Sequence, residues 1–231
     1  MIARVLHLAA TLSLVPGLLS AQQLPARKGL ALLYAHRNFQ DVEHQLLVEV
    51  LEAGPEEMVT RSRFLDATRA GAPLLEPVSR REKAGARTIG LGRRLGSDTT
   101  GYRPRTIAMA SQRLMRELRA GGIVRASVPV ILDGHAVIFD GTMSRVSAEP
   151  AMLDAVVEGT PRTLRTLHAR GEFENLLRGF RMTADWWFLD DSTDAWLVKT
   201  SATNNRRESF SMVLSSADVA GLWGGRTQAD D

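Results

Sequence analysis

The chain has 231 residues, 44% of them hydrophobic, with 29 basic against 26 acidic side chains and no cysteine. That length supports one domain of ordinary stability, or two small ones, without covalent staples. The missing thiols exclude a disulfide framework, a thiolate metal site and a lipid-modified N-terminal cysteine. Lysine is confined to Lys28, Lys83 and Lys199, so the basic residues are almost all arginine. No Lys/Arg run alternates with stacking aromatics, and nucleic-acid binding is not expected.

In chain order, residues 1–21 read as a secretory signal peptide. Arg4 starts it, an apolar stretch runs from Val5 to Leu19, and Ser20-Ala21 supplies small residues for cleavage after Ala21. The stretch is shorter than the roughly 20 residues that a membrane-crossing helix needs, so a cleaved leader and a periplasmic or secreted product are expected. No later apolar run is long enough to suggest an integral span. Without Arg4 the balance is 28 basic against 26 acidic residues, which is nearly neutral.

Residues 22–68 read as an N-terminal β-hairpin segment. Val42, His44, Leu46, Val48 and Val50 alternate with polar residues, Gly54-Pro55-Glu56-Glu57 turns, and Met58 to Leu65 returns. From 69 to 105 periodicity disappears while Gly and Pro recur, which predicts an Arg/Gly-rich loop or linker. Arg80, Arg81, Arg87, Arg93 and Arg94 lie in it and are candidate contacts for an anionic group or an acidic partner, because clustered guanidinium groups favour phosphate and carboxylate.

Residues 106–214 read as a β-rich domain. One short helix is expected near 111–120, with Ser111 as N-cap, Leu114, Met115 and Leu118 on one face, and Gly121-Gly122 as the stop. After it Val124 to Val130 alternates, Asp133-Gly134 is a hairpin turn, and Ala136 to Phe139 returns, with Asp140-Gly141 read as a second turn. Further strands are expected over Thr163–Phe173, over Phe180–Phe188, over Ala195–Ser201 after an Asp190–Asp194 turn, and last with Phe210, Met212 and Leu214. The tail over 215–231 reads as loosely ordered. The fold class is thus mainly β, an antiparallel meander curled into an open barrel or sandwich with one short helix.

Phe180, Met182, Trp186 and Phe188 share one face of their strand and are candidates for holding a lipid-like ligand, while Trp187 points the other way. The mature histidines, His36, His44, His135 and His168, show no two-ligand spacing, so no metal site is expected. Asp190, Asp191 and Asp194 do not follow the spacing of a calcium loop. Gly90 to Gly96 is one residue too long for a dinucleotide loop, and no Gly-x-Ser-x-Gly elbow is present. No cofactor is expected.

The run Arg113 to Gly122, followed by strands, Thr166 to Gly171, Trp187 to Asp191 and Leu197 to Lys199, resembles an uncharacterised β-rich periplasmic module of exported bacterial proteins. In some of them it precedes an OmpA-type domain, and the sequence here carries no OmpA-type domain. The resemblance implies a β-rich envelope protein and no particular activity. The expected function is an exported binding or structural module that takes a lipid-like ligand or an envelope protein partner. The alternative is an envelope hydrolase with a His/Asp site at His168, His44 or the Asp190–Asp194 turn.

Overall fold

Alternating burial builds most of the chain into strands. In the computed structural model, residues 24–65, 74–91, 105–132 and 135–219 are described. Residues 1–23 with the expected leader, Arg93, Arg94, the expected Asp133-Gly134 turn and the last twelve residues lie outside them.

Strands β1 (Leu30–Arg37), β2 (Glu43–Ala53) and β3 (Glu57–Phe64) form an antiparallel meander, and β4 (Leu74–Ser79) pairs with β3. Helix α1 (Arg80–Gly85) starts at Ser79, whose side chain accepts from the Glu82 amide while Glu82 reaches back to the Ser79 amide. Next come β5 (Thr88–Gly90), β6 (Arg105–Ile107), β7 (Met109–Ala110) and α2 (Gln112–Arg119). The Ser111 hydroxyl caps α2 by accepting from Leu114, and Gly121 ends it with φ of 76°. The remaining strands are β8 (Val124–Leu132), β9 (His135–Arg145), β10 (Ala151–Val157), β11 (Thr160–Asn175), β12 (Phe180–Leu189), β13 (Ala195–Asn204) and β14 (Ser209–Val219).

The strands join in one mixed sheet in the order β4-β3-β2-β1-β14-β13-β12-β11-β9-β8-β5-β6. The long β11 divides one edge between two partners: its first half pairs with β10 and its second half with β9. Strand β14 divides an edge in the same way, between β13 and β10. Strand β10 therefore links β11 back to β14, and the sheet curls partly into a ring through β10, β11, β12, β13 and β14.

Inside lies one core. Along β12, Phe180, Met182, Ala184, Trp186 and Phe188 are all buried, as period-two alternation predicts. Tyr34 is fully enclosed, and its hydroxyl donates to the Leu197 carbonyl at 2.9 Å. Burial pushes its pKa well above the ordinary phenol value.

The mainly β fold class holds, and four details differ from the expectation. Part of the stretch 69–105, expected as loop, is ordered as β4, α1 and β5, so the described residues hold two short helices. These elements escape a periodicity reading because they are only three to six residues long. The sheet is mixed, because β5 pairs in parallel with β6 and β8, and β10 with β14. Asp140-Gly141 is strand interior and not a turn: β9 runs through it paired with β11, and the seam is so close there that an alanine Cβ at Gly141 would come 2.0 Å from the Glu172 carbonyl oxygen. Strand β14 also continues past Leu214 to Val219, so the expected tail begins as paired strand.

Candidate functional site

The cross-strand register sets rows of side chains across the outer face of the sheet. Thr142, Glu172, Thr183 and Thr203 align on β9, β11, β12 and β13. Two residues along lies a second row with Asp140, Glu174 and Arg181, continued by Asn205. These rows, together with Gly141 and the strand positions of Phe173 and Met182 between them, border a groove of ≈ 670 Å³.

Two hairpin tips flank this groove. The β11–β12 turn carries Leu176 and Leu177, which are 81% and 97% exposed, followed by exposed Arg178 and by Gly179 with φ of 64°. Asn175 shapes the turn, since its side-chain oxygen accepts from the Arg178 amide at 3.0 Å while its Nδ2 donates to Ile138 O at 2.7 Å. The β13–β14 turn carries exposed Arg206 and Arg207, and Asn204 Oδ1 accepts there from Arg206 N and Glu208 N.

Asn205 locks the two tips together. Its amide donates to Arg181 O at 2.9 Å, its Nδ2 donates to Gly179 O at 3.2 Å, and its Oδ1 accepts from Arg181 N at 3.3 Å. Arg206 lies over the Phe180 ring at 4.5 Å. The two linked hairpin ends thus carry four exposed arginines, at 178, 181, 206 and 207, and two exposed leucines, with Glu174 and Glu208 on the same strand ends.

Of the four residues expected to hold a ligand, Met182 lines the groove, whereas Phe180, Trp186 and Phe188 pack in the interior. Trp186 stacks on Phe188 with centroids 6.0 Å apart and meets Phe173 edge-on. Of the five arginines expected to contact an anion, Arg93 and Arg94 lie outside the described residues, and the other three have separate surroundings. Arg80 pairs with Glu56 at 3.3 Å, Arg81 is exposed, and Arg87 donates to the Arg125 carbonyl and reaches Glu117.

His168 and Asp185 meet at 2.7 Å on the outer face, and His168 stacks on Trp187 at 4.2 Å. Arg170 holds both oxygens of the same carboxylate at 3.0 Å. The aspartates of the 190–194 turn are spent on structure. Asp190 accepts from Arg119 and Arg165, Asp191 accepts from the Thr193 and Asp194 amides, and Asp194 accepts from Ala26 N and pairs with Lys83. Among the described residues no group of three or more His, Asp or Glu could hold a metal ion.

Burial works to raise the carboxyls of Asp185 and Asp190, but their arginine bonds, and that of His168 to Asp185, outweigh it and hold both below the ordinary 3.8. The unfolded chain then takes up these protons first as pH falls. The stability that the pairs contribute is fully present above about pH 3.8 and is lost as pH drops below it. In urea titrations, the double variant Asp185→Asn/Asp190→Asn is expected to lose less stability than the parent between pH ~5 and ~3. Equal losses would show that these pairs do not couple folding to protons.

The fold is thus a mixed sheet with a groove and paired tips at one end. No protein-family model and no curated protein sequence matches the chain. Among solved structures, a Bacteroides fragilis protein of YmcC-like fold that is inferred to be exported aligns over 84% of this chain and 97% of its own, at 10% identity and a TM-score of 0.44. At that distance it transfers neither fold nor function, and none of these comparisons links the chain to OmpA-type proteins. The leucine pair that marks the tips was not among the residues expected from the sequence. The signal for it is Leu-Leu-Arg-Gly between two strand patterns, where a turn forces adjacent apolar side chains outward.

Proposed function

We propose that the chain is an exported envelope module without catalytic function, which docks on an anionic lipid surface through the paired tips. The observation that carries this reading is the Leu176-Leu177 pair, bare at the end of a hairpin that is tied through Asn205 to the turn with Arg206 and Arg207 and that itself carries Arg178 and Arg181. A leucine moved from water into the headgroup–acyl boundary gains ~1.5–3 kcal/mol, and each arginine near an anionic surface adds ~1 kcal/mol. Against the cost of immobilising the protein this gives weak, reversible, salt-sensitive attachment.

The groove supports the same reading, because its threonines and Arg181 offer polar contacts to a headgroup beside the tips. Among the described residues no helix is long and apolar enough to cross a membrane, and the attachment proposed here needs none.

Co-sedimentation with phosphatidylcholine vesicles, with and without phosphatidylglycerol, tests the reading. Binding is expected only with the anionic lipid, and Leu176→Ser/Leu177→Ser is expected to weaken it at least ~30-fold, the equivalent of ~2 kcal/mol. Equal binding by parent and variant would overturn the proposal. So would a tip that captures one envelope protein with the parent's vesicle binding absent.

A further inference from the structure

The opposite end of β11 and β12 holds a second cleft, formed by residues that arrive from four parts of the chain. Arg119 comes from the last turn of α2, Arg145 from the end of β9, Arg165 from β11, and Asp190 from the turn after β12. They border ≈ 310 Å³ of space, at the small end of the range of ligand pockets, and Ser147 and Glu149 form the rim.

The electrostatics of this cleft are lopsided. Arg119 donates Nε and Nη2 to Asp190 Oδ1 at 3.1 and 2.8 Å, and Arg165 donates Nε to Oδ2 at 2.9 Å. Asp190 is thereby saturated by two guanidinium groups and stays charged, since its pKa lies below the ordinary value. Each guanidinium has five N–H donors, so most of those on Arg119 and Arg165 remain available. Arg145 is half-buried and makes no ion pair among the described residues. Glu149 supplies the other negative charge, but it sits on the exposed loop with its amide bonded to Ser147 Oγ. Three positive charges thus face one carboxylate already in use and one at the rim.

We infer that this cleft binds a phosphate group, with Arg145 and Arg165 as its direct ligands and Asp190 as the positioning residue that orients Arg119 and Arg165. A guanidinium fork matches the oxygens of phosphate two at a time. Pre-orientation by Asp190 lowers the ordering cost that long arginine side chains otherwise incur on binding. The site is independent of the tip reading, from which it is separated by the length of β12. The phosphate could belong to a soluble phosphomonoester or to a lipid headgroup, and the probes separate the two.

Amide chemical shifts of the full chain would be followed during titration with inorganic phosphate, with glycerol 3-phosphate, and with a short-chain phosphatidic acid below its micelle concentration. Saturable shifts around Arg145 and Arg165 are expected with all three if the phosphate alone is read, and with phosphatidic acid at much lower concentration if a lipid is read. Arg145→Gln, which removes no ion pair of the described fold, is expected to weaken binding at least about tenfold without changing the melting temperature. Arg162→Gln, exposed on β11 with Arg165 but outside the cleft, is expected to bind as the parent does. Absence of saturable shifts with every probe, or parental affinity in Arg145→Gln, would overturn the site. Loss of vesicle binding in the tip variant with phosphate titration intact would separate the two sites experimentally.

Discussion

Replacing Trp196 with alanine is expected to destabilise the protein by about 3–5 kcal/mol, the range for removing a large aromatic side chain from a packed core. Trp196 is fully buried at the start of β13, and its indole N–H donates to the Leu24 carbonyl at 2.8 Å, across 172 residues of chain. That bond works together with Asp194, which accepts from the Ala26 amide. Alanine at 196 leaves a cavity and also releases the segment before β1. Trp196→Phe keeps much of the volume and loses only the donor, so about 1–2 kcal/mol is expected. Urea unfolding of the three proteins checks the order. Limited proteolysis should cut near Leu24 sooner in both variants, and a parental cleavage pattern in Trp196→Ala would show that this tryptophan does not hold the segment.

Gly141→Ala is expected to destabilise by about 3 kcal/mol or more, at the upper end of what overpacking costs. The added methyl would sit 2.0 Å from the Glu172 carbonyl oxygen and 2.7 Å from the Phe173 Cα, and backbone atoms cannot swing aside as a side chain can. The β9–β11 seam, and with it the groove, would have to open. Gly85→Ala is the control, because a Cβ there meets nothing within 4 Å. It is expected to change stability by no more than about 0.5–1 kcal/mol, in the stabilising direction. If the two alanine variants unfold at the same urea concentration, the close seam is not a constraint on the fold.

Gly141 also shows where the sequence stops being readable. Asp-Gly is a strong local turn signal, and nothing near it in the chain discloses that β11, some thirty residues away, needs a glycine opposite Glu172 and Phe173. Local pattern served well where burial is strictly alternating. The β12 face from Phe180 to Phe188, the opposed Trp186 and Trp187, the Ser111 cap and the α2 stop were all legible. The short parallel strand β5 was not, because its pairing depends on β6 and β8 and its three residues carry no period.

The site was less legible than the fold. Alternation identifies which side chains turn inward, and it cannot say whether the enclosed space is filled. Phe180, Trp186 and Phe188 turn inward as expected and pack against the interior of the sheet. The arginines that border one cleft, Arg119, Arg145 and Arg165, are scattered over nearly fifty residues, whereas Arg80 and Arg87, close in sequence, pair with different acids, Glu56 and Glu117. Charge density along a chain is a poor guide to charge density in space, because strand order rather than sequence order sets which residues become neighbours.

The absence of cysteine makes the tip directly observable, since Leu177→Cys creates the single labelling position in the chain. An environment-sensitive fluorophore attached there should shift to the blue and become shielded from an aqueous quencher when phosphatidylglycerol vesicles are added, and should revert in high salt. The same label with an unchanged spectrum and full quenching, in the presence of saturating anionic vesicles, would contradict the lipid-docking account.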